Sequence, residues 1–126
     1  MTTATITTTN YLVTLQNGRH ELFADEPVAV GGKDAGPGPD ELLESSLASC
    51  TAITLRMYVE RKKWAVTELE VTVDLERVDG KTIFTKSIKV QGQIDEAQRK
   101  RLLEIADLCP VSRTLRGEVE IKGNIS

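Results

Sequence analysis

The sequence predicts an α+β domain in which a mostly antiparallel sheet packs on one long central helix. Three observations carry that expectation: a helical run from Pro39 to Arg61, an Asn17-Gly18 corner between two strand-like runs, and a long alternating segment broken at Asp79-Gly80. At 126 residues the chain is read as a single domain spanning 1–126, and a chain of this length buries roughly two-thirds of its unfolded surface.

Taken in order, Met1 to Asn10 has neither a basic start nor an apolar segment, so it does not resemble a signal peptide and reads as a β-leaning or frayed terminus. Tyr11–Gln16 and Arg19–Ala24 flank Asn17-Gly18 as a hairpin. Asp25-Glu26-Pro27 ends its second strand, and Val28-Ala29-Val30 is expected to be a short strand or an extended link. Gly36-Pro37-Gly38-Pro39 then opens the long helix, with Pro39 at its first position. Leu42, Leu43, Leu47, Ile53, Leu55, Met57 and Val59 leave only a narrow polar stripe at Glu44, Arg56 and Glu60, so the helix should be buried on most of its circumference. Ser45, Ser46, Ala48, Ser49 and Ala52 give it a face of small side chains on which a second helix could approach. A homodimer is the economical source of that cover; the alternative is the domain's own second helix and loops.

Leu69, Val71, Val73 and Leu75 alternate with charged and polar residues, giving one core face and one wet face. A two-residue turn at Asp79-Gly80 sets Leu75 opposite Phe84, Val71 opposite Ile88, Leu69 opposite Val90 and, less comfortably, Lys86 opposite Val73. Asp95 with Gln98 reads as a capping box opening a helix from Glu96 to Leu108, which Pro110 stops. Val119, Ile121 and Ile125 alternate with polar residues as a final amphipathic strand.

Composition narrows the function classes. A formal net charge of -3 argues against a generic nucleic-acid binder. Glu44 and Arg56 interrupt the one apolar helix, leaving too short a run for the ~20 residues a bilayer requires, so no membrane association is expected and the chain is placed in the cytoplasm. There its two cysteines, Cys50 and Cys109, are expected to be reduced, catalytic or redox-sensing rather than a permanent staple. With the single His20 they make no zinc site, and the sequence has no CxxC, Walker loop or GxGxxG, so neither a metal nor a cofactor is expected.

Two readings of the thiols stand side by side. Unpaired cysteines are often inert core filler. Alternatively, Cys109, at a frayed helix end before Pro110, is a mobile resolving thiol and Cys50 a fixed attacking one. An attacking cysteine must be a thiolate near pH 7, although a free thiol has a pKa of ~8.5 and burial raises it. Cys50 lies too far along its helix for the helix dipole to act, so a guanidinium is the more natural source, and Arg19 beside the first hairpin turn is the candidate. Asp40 or Glu41 at the helix start could orient it; the plainer readings are a solvated strand-end charge and acids in a first helical turn.

Gly36-Pro37-Gly38-Pro39-Asp40-Glu41-Leu42-Leu43, then Ala48-Ser49-Cys50-Thr51, and later Leu108-Cys109-Pro110-Val111-Ser112 resemble the OsmC/Ohr family of thiol-dependent peroxidases. The resemblance runs from Asp25-Glu26-Pro27 to the last expected strand. It implies an OsmC-like fold, an intertwined homodimer, and reduction of organic hydroperoxides by a peroxidatic Cys50 and a resolving Cys109, whose disulfide is reopened by a dithiol reductant such as a lipoyl protein, thioredoxin or a small thiol. It also implies a catalytic arginine in the N-terminal region, where Arg19 is the only one, and an acid after the proline, here Asp40 rather than the glutamate of the best-characterised members. The alternative function is a noncatalytic dimer of the same fold that binds an apolar small molecule or a protein partner.

Overall fold

The computed structural model describes residues 1–126, which form two compact units, Met1–Leu43 and Glu44–Ser126. In the first, β1 (Thr3–Ile6), β2 (Val13–Gln16) and β3 (Glu21–Ala24) make an antiparallel sheet in the order β1-β2-β3. Of the two readings of the terminus, β-leaning or frayed, the first holds: Thr3–Ile6 is an edge strand. Arg19 and His20, expected to begin a strand, lie in the turn instead. The Asn17 side chain accepts from both their backbone N–H groups, at 3.0 and 2.8 Å, and Gly18 takes φ 91. An asparagine that caps its own turn in this way draws the next residues into the corner.

Val28–Val30 forms a short 3-10 turn rather than a strand or extended link. The cause lies three residues earlier, at Asp25. Its buried carboxylate accepts four backbone N–H groups, from Tyr11 (3.2 Å), Glu26 (2.8 Å), Lys33 (3.2 Å) and Ala35 (3.1 Å), which folds the following loop back upon itself. Gly32 is required by that closure, since a Cβ there would stand 2.0 Å from the Glu26 carbonyl oxygen.

The long helix α1 (Pro39–Lys62) begins in the first unit and continues through the second. In the second unit it is followed by β4 (Ala65–Val78) and β5 (Lys81–Gln93), an antiparallel hairpin in the expected register. Asp79 and Gly80, at φ 51 and 76, supply the two left-handed residues that such a turn demands. Leu55, Tyr58 and Val59 of α1, Val66 of β4, and Leu102, Ile105 and Ala106 of α2 (Glu96–Ala106) form the core, with Leu69, Val71, Ile88 and Val90 of the hairpin packed on it. The Asp95 capping box is complete, with Asp95 accepting from Gln98 N and Gln98 accepting from Asp95 N.

Three expectations are corrected here. The second helix stops at Ala106, not Leu108, and Pro110 starts a third helix, α3 (Pro110–Arg116), with Cys109 as its N-cap. The residue before a proline is driven out of the helical region, and Cys109 at φ -63, ψ 143 has the extended backbone an N-cap needs. Cys109 is thus fully buried rather than frayed. Residues 118–126 form no strand: a ladder requires a partner, and within one chain Val119, Ile121 and Ile125 find none and stay exposed. Finally, α1 is covered on one side only, with Ile53 and Met57 55% and 66% exposed.

Candidate functional site

Helix α1 carries Cys50 and Thr51 side by side. Thr51 is fully buried, whereas Cys50 is half-buried. From the corner between α2 and α3, Cys109 brings its thiol to within 3.5 Å of Thr51 Oγ1 and into the neighbourhood of the Cys50 thiol. Its Sγ donates to Ser112 Oγ at 3.3 Å and accepts from Ser112 N at 3.4 Å, the N-cap geometry that fixes its rotamer.

A fourth residue approaches from the sheet. Lys86 of β5 sits opposite Val73 and points inward, its side chain only 12% exposed. Its ammonium donates to Ala106 O at 2.8 Å and to Ser112 Oγ at 3.1 Å, and lies 3.6 Å from Asp107 Oδ1. Asp107 is shared with Arg116 at 3.1 Å. Leu47, Phe84, Lys86, Ser112, Leu115 and Arg116 line an adjoining cavity of about 330 Å³, with both apolar and cationic side chains in its wall.

The electrostatics single out Cys109. Burial pushes its thiol up, but the hydrogen bonds that the Ser112 and Thr51 hydroxyls, the Ser112 N–H and the neighbouring Cys50 thiol can donate to the thiolate outweigh it. Together they hold Cys109 at about 7, below its ordinary 9.0. The arrangement can therefore undergo two-electron sulfur chemistry, with one thiol reachable and the other ionised near neutral pH. No three His, Cys, Asp or Glu side chains converge to hold a metal ion.

Of the residues singled out from sequence, Cys50 and Cys109 are brought together in the second unit. Arg19 and Asp40 belong to the first, Arg19 exposed in the β2–β3 turn and Asp40 exposed in the first turn of α1. Glu41 accepts from Gly38 N at 3.2 Å, and Glu44 accepts from Leu75 N at 2.8 Å. Thr51, Lys86 and Ser112 were not anticipated. Lys86 had a signal, being a cation set between Phe84 and Ile88 on the apolar face of its hairpin, and Ser112 had one in standing three residues after an N-cap.

This fold finds counterparts among known proteins. A model of the OsmC family, described as OsmC-like protein, matches residues 31–124. The chain belongs to the OsmC-like family. It is 25% identical over 107 residues to the organic hydroperoxide resistance protein-like 1 of Staphylococcus saprophyticus, spanning 79% of this chain and 76% of that one. Among solved structures, an OsmC-like protein from Mycoplasma pneumoniae superposes with a TM-score of 0.79 at 21% identity, over 93% of this chain and 86% of the other. An organic hydroperoxide resistance protein from Elizabethkingia anophelis gives 0.69 at 25% identity, over 94% and 89%. The α+β OsmC-like architecture read from sequence is the one this chain has. No helix of this OsmC-like chain is long and apolar enough to cross a membrane.

Proposed function

We propose that this OsmC-like protein is a cytoplasmic thiol peroxidase that reduces organic hydroperoxides. The observation that carries the reading is the placement of Cys50 beside Cys109, one half-buried and one fully enclosed. In this reading the Cys50 thiolate attacks the terminal peroxide oxygen, the O–O bond breaks, and the organic fragment leaves as the alcohol after taking a proton. Cys50 becomes a sulfenic acid. The Cys109 thiolate then attacks Cys50 Sγ, forming the disulfide as the S–O bond breaks, and the departing hydroxide takes a proton from solvent to leave as water. A dithiol reductant, a lipoyl protein or a small thiol, restores both thiols. The depressed Cys109 value suits the resolving step, because the attacking sulfur is ionised at the pH where it acts.

Arg19 and Asp40 enter on the family resemblance alone, Arg19 as the cation for the attacking thiolate and Asp40 as the carboxylate that orients it. A homodimer completes the reading. Exposed Ile53 and Met57, and the bare alternation of Val119, Ile121 and Ile125, are the apolar surface that a second copy would cover. Intact mass after one equivalent of cumene hydroperoxide tests the chemistry. A loss of about two mass units indicates the internal disulfide, and an unchanged mass with both thiols still titratable contradicts the proposal.

A further inference from the structure

The two sulfurs of a Cys50–Cys109 disulfide are not equivalent. Cys50 is half-buried on α1, while Cys109 is fully buried and surrounded by donors. Behind those donors stands a cation. A serine hydroxyl has one proton and two lone pairs. Lys86 Nζ, 3.1 Å away, donates to Ser112 Oγ, so the Ser112 proton is free to turn toward Cys109 Sγ, 3.3 Å off, once that sulfur becomes anionic. An ammonium on the oxygen also makes its O–H the stronger donor. The charged groups around this relay are Asp107, at 3.6 Å from Lys86, and Arg116, which holds the other side of Asp107 at 3.1 Å. β4 contributes only Val73 at the paired position, and α1 contributes the uncharged Thr51 and the Cys50 thiol.

We propose that Lys86, acting through the Ser112 hydroxyl, decides which sulfur leaves when the disulfide is reduced: the reductant attacks Cys50, and Cys109 departs as the stabilised thiolate. This rests on the peroxidase reading and deepens it. In the first step a reductant thiolate forms a bond to Cys50 Sγ as the Cys50–Cys109 bond breaks, and the electron pair goes to Cys109 Sγ. In the second, the reductant's other thiol, as thiolate, attacks the reductant sulfur bound to Cys50 and releases Cys50 as thiolate. The dithiol is oxidised by two electrons and the protein disulfide reduced by two. Both factors that govern thiol exchange point the same way, access favouring attack at Cys50 and leaving-group stability favouring loss of Cys109. Lys86 touches neither substrate nor reacting sulfur and is a positioning residue.

Two measurements on the full chain test this without any peroxide. Wild-type protein oxidised with diamide is treated with limiting 2-mercaptoethanol, quenched with iodoacetamide and mapped by peptide mass. The adduct is expected on Cys50 and the alkyl group on Cys109; the reverse pattern, or an even split, overturns the proposal, as does failure of diamide to join the two sulfurs. The second measurement follows thiolate ultraviolet absorbance against pH in Cys50→Ser protein, where Cys109 is the only thiol. Adding Lys86→Met should raise the midpoint by about one pH unit, and Lys86→Met in protein that keeps both cysteines should slow reduction of the disulfide about three- to five-fold, as a poorer leaving thiol requires. Lys86→Arg should restore both. Lys86→Gln, which keeps amide donors for Ala106 O and Ser112 Oγ but no charge, replaces Lys86→Met if that variant does not fold. An unshifted midpoint in a folded variant overturns the role of Lys86. Hydroperoxide consumption, measured separately, reports on the peroxidase reading itself.

Discussion

Thr51 Oγ1 and Cys109 Sγ meet at 3.5 Å inside the second unit, a contact between residues 58 apart in sequence. It ties α1 to the α2–α3 corner and gives the buried sulfur a side-chain hydrogen bond in addition to that of Ser112. Replacing Thr51 by valine keeps the shape and removes the donor. A hydrogen bond to an ionised group contributes ~1.5–3 kcal/mol, so the Cys109 midpoint should rise by about one pH unit or more above its wild-type position. A thiolate absorbance titration checks this, and an unchanged midpoint would show that the contact does not support the thiolate.

Asp25 gives a pH prediction. Burial pushes its carboxyl up, but the four backbone N–H groups from Ala35, Glu26, Lys33 and Tyr11 prevail and hold it below its ordinary 3.8. A group lowered in the folded state contributes stability that is fully present above its unfolded pKa and is lost as pH falls through the folded one. Thermal melts of Asp25→Asn should therefore lie below wild type at neutral pH, with the gap closing on acidification below the ordinary carboxylate range. A gap that is constant or widens in acid would contradict the assignment.

The Asp95 cap should have a modest and local effect. Asp95→Ala removes the acceptor for Gln98 N and with it one half of the capping box, which costs about 1 kcal/mol in comparable helices. Urea unfolding should show a lower midpoint with an unchanged slope. No loss of stability would mean that water replaces the cap without penalty.

The half-covered helix predicts the oligomeric state. Ile53→Glu introduces a charge on an exposed position of the single chain, so it should leave a monomer folded, yet it would bury that charge in the proposed dimer. Sedimentation should give a dimer for wild type and a monomer for the variant. A wild-type monomer at micromolar concentration, or a variant that remains dimeric, would contradict the proposed interface.

Sequence reading reached furthest where patterns are local or strictly periodic. The β4–β5 register followed from Asp79-Gly80 and alternation, and the α1 boundary from Pro39 and the basic Arg61-Lys62 end. It failed where a long-range partner decides. Alternation at Val119, Ile121 and Ile125 describes a strand only when an edge is available. Pro110 can stop a helix or start one, and the space around Cys109, invisible in sequence, selected the start. Within the site, the two cysteines could be named, but their proximity and the Lys86–Ser112 relay depend on residues from β5, α1 and the α2–α3 corner. Lys86 read as a tolerable flaw in a hairpin face because its acceptors, Ala106 O and Ser112 Oγ, lie 20 and 26 residues away.

The central claim is that Cys50 attacks the peroxide and Cys109 resolves it. Consumption of cumene hydroperoxide by purified protein with a dithiol, compared for wild type, Cys50→Ser and Cys109→Ser, tests it most directly. The account predicts that Cys50→Ser abolishes consumption, while Cys109→Ser retains a single stoichiometric turnover and accumulates sulfenic acid on Cys50. Wild-type rates in Cys50→Ser would contradict it.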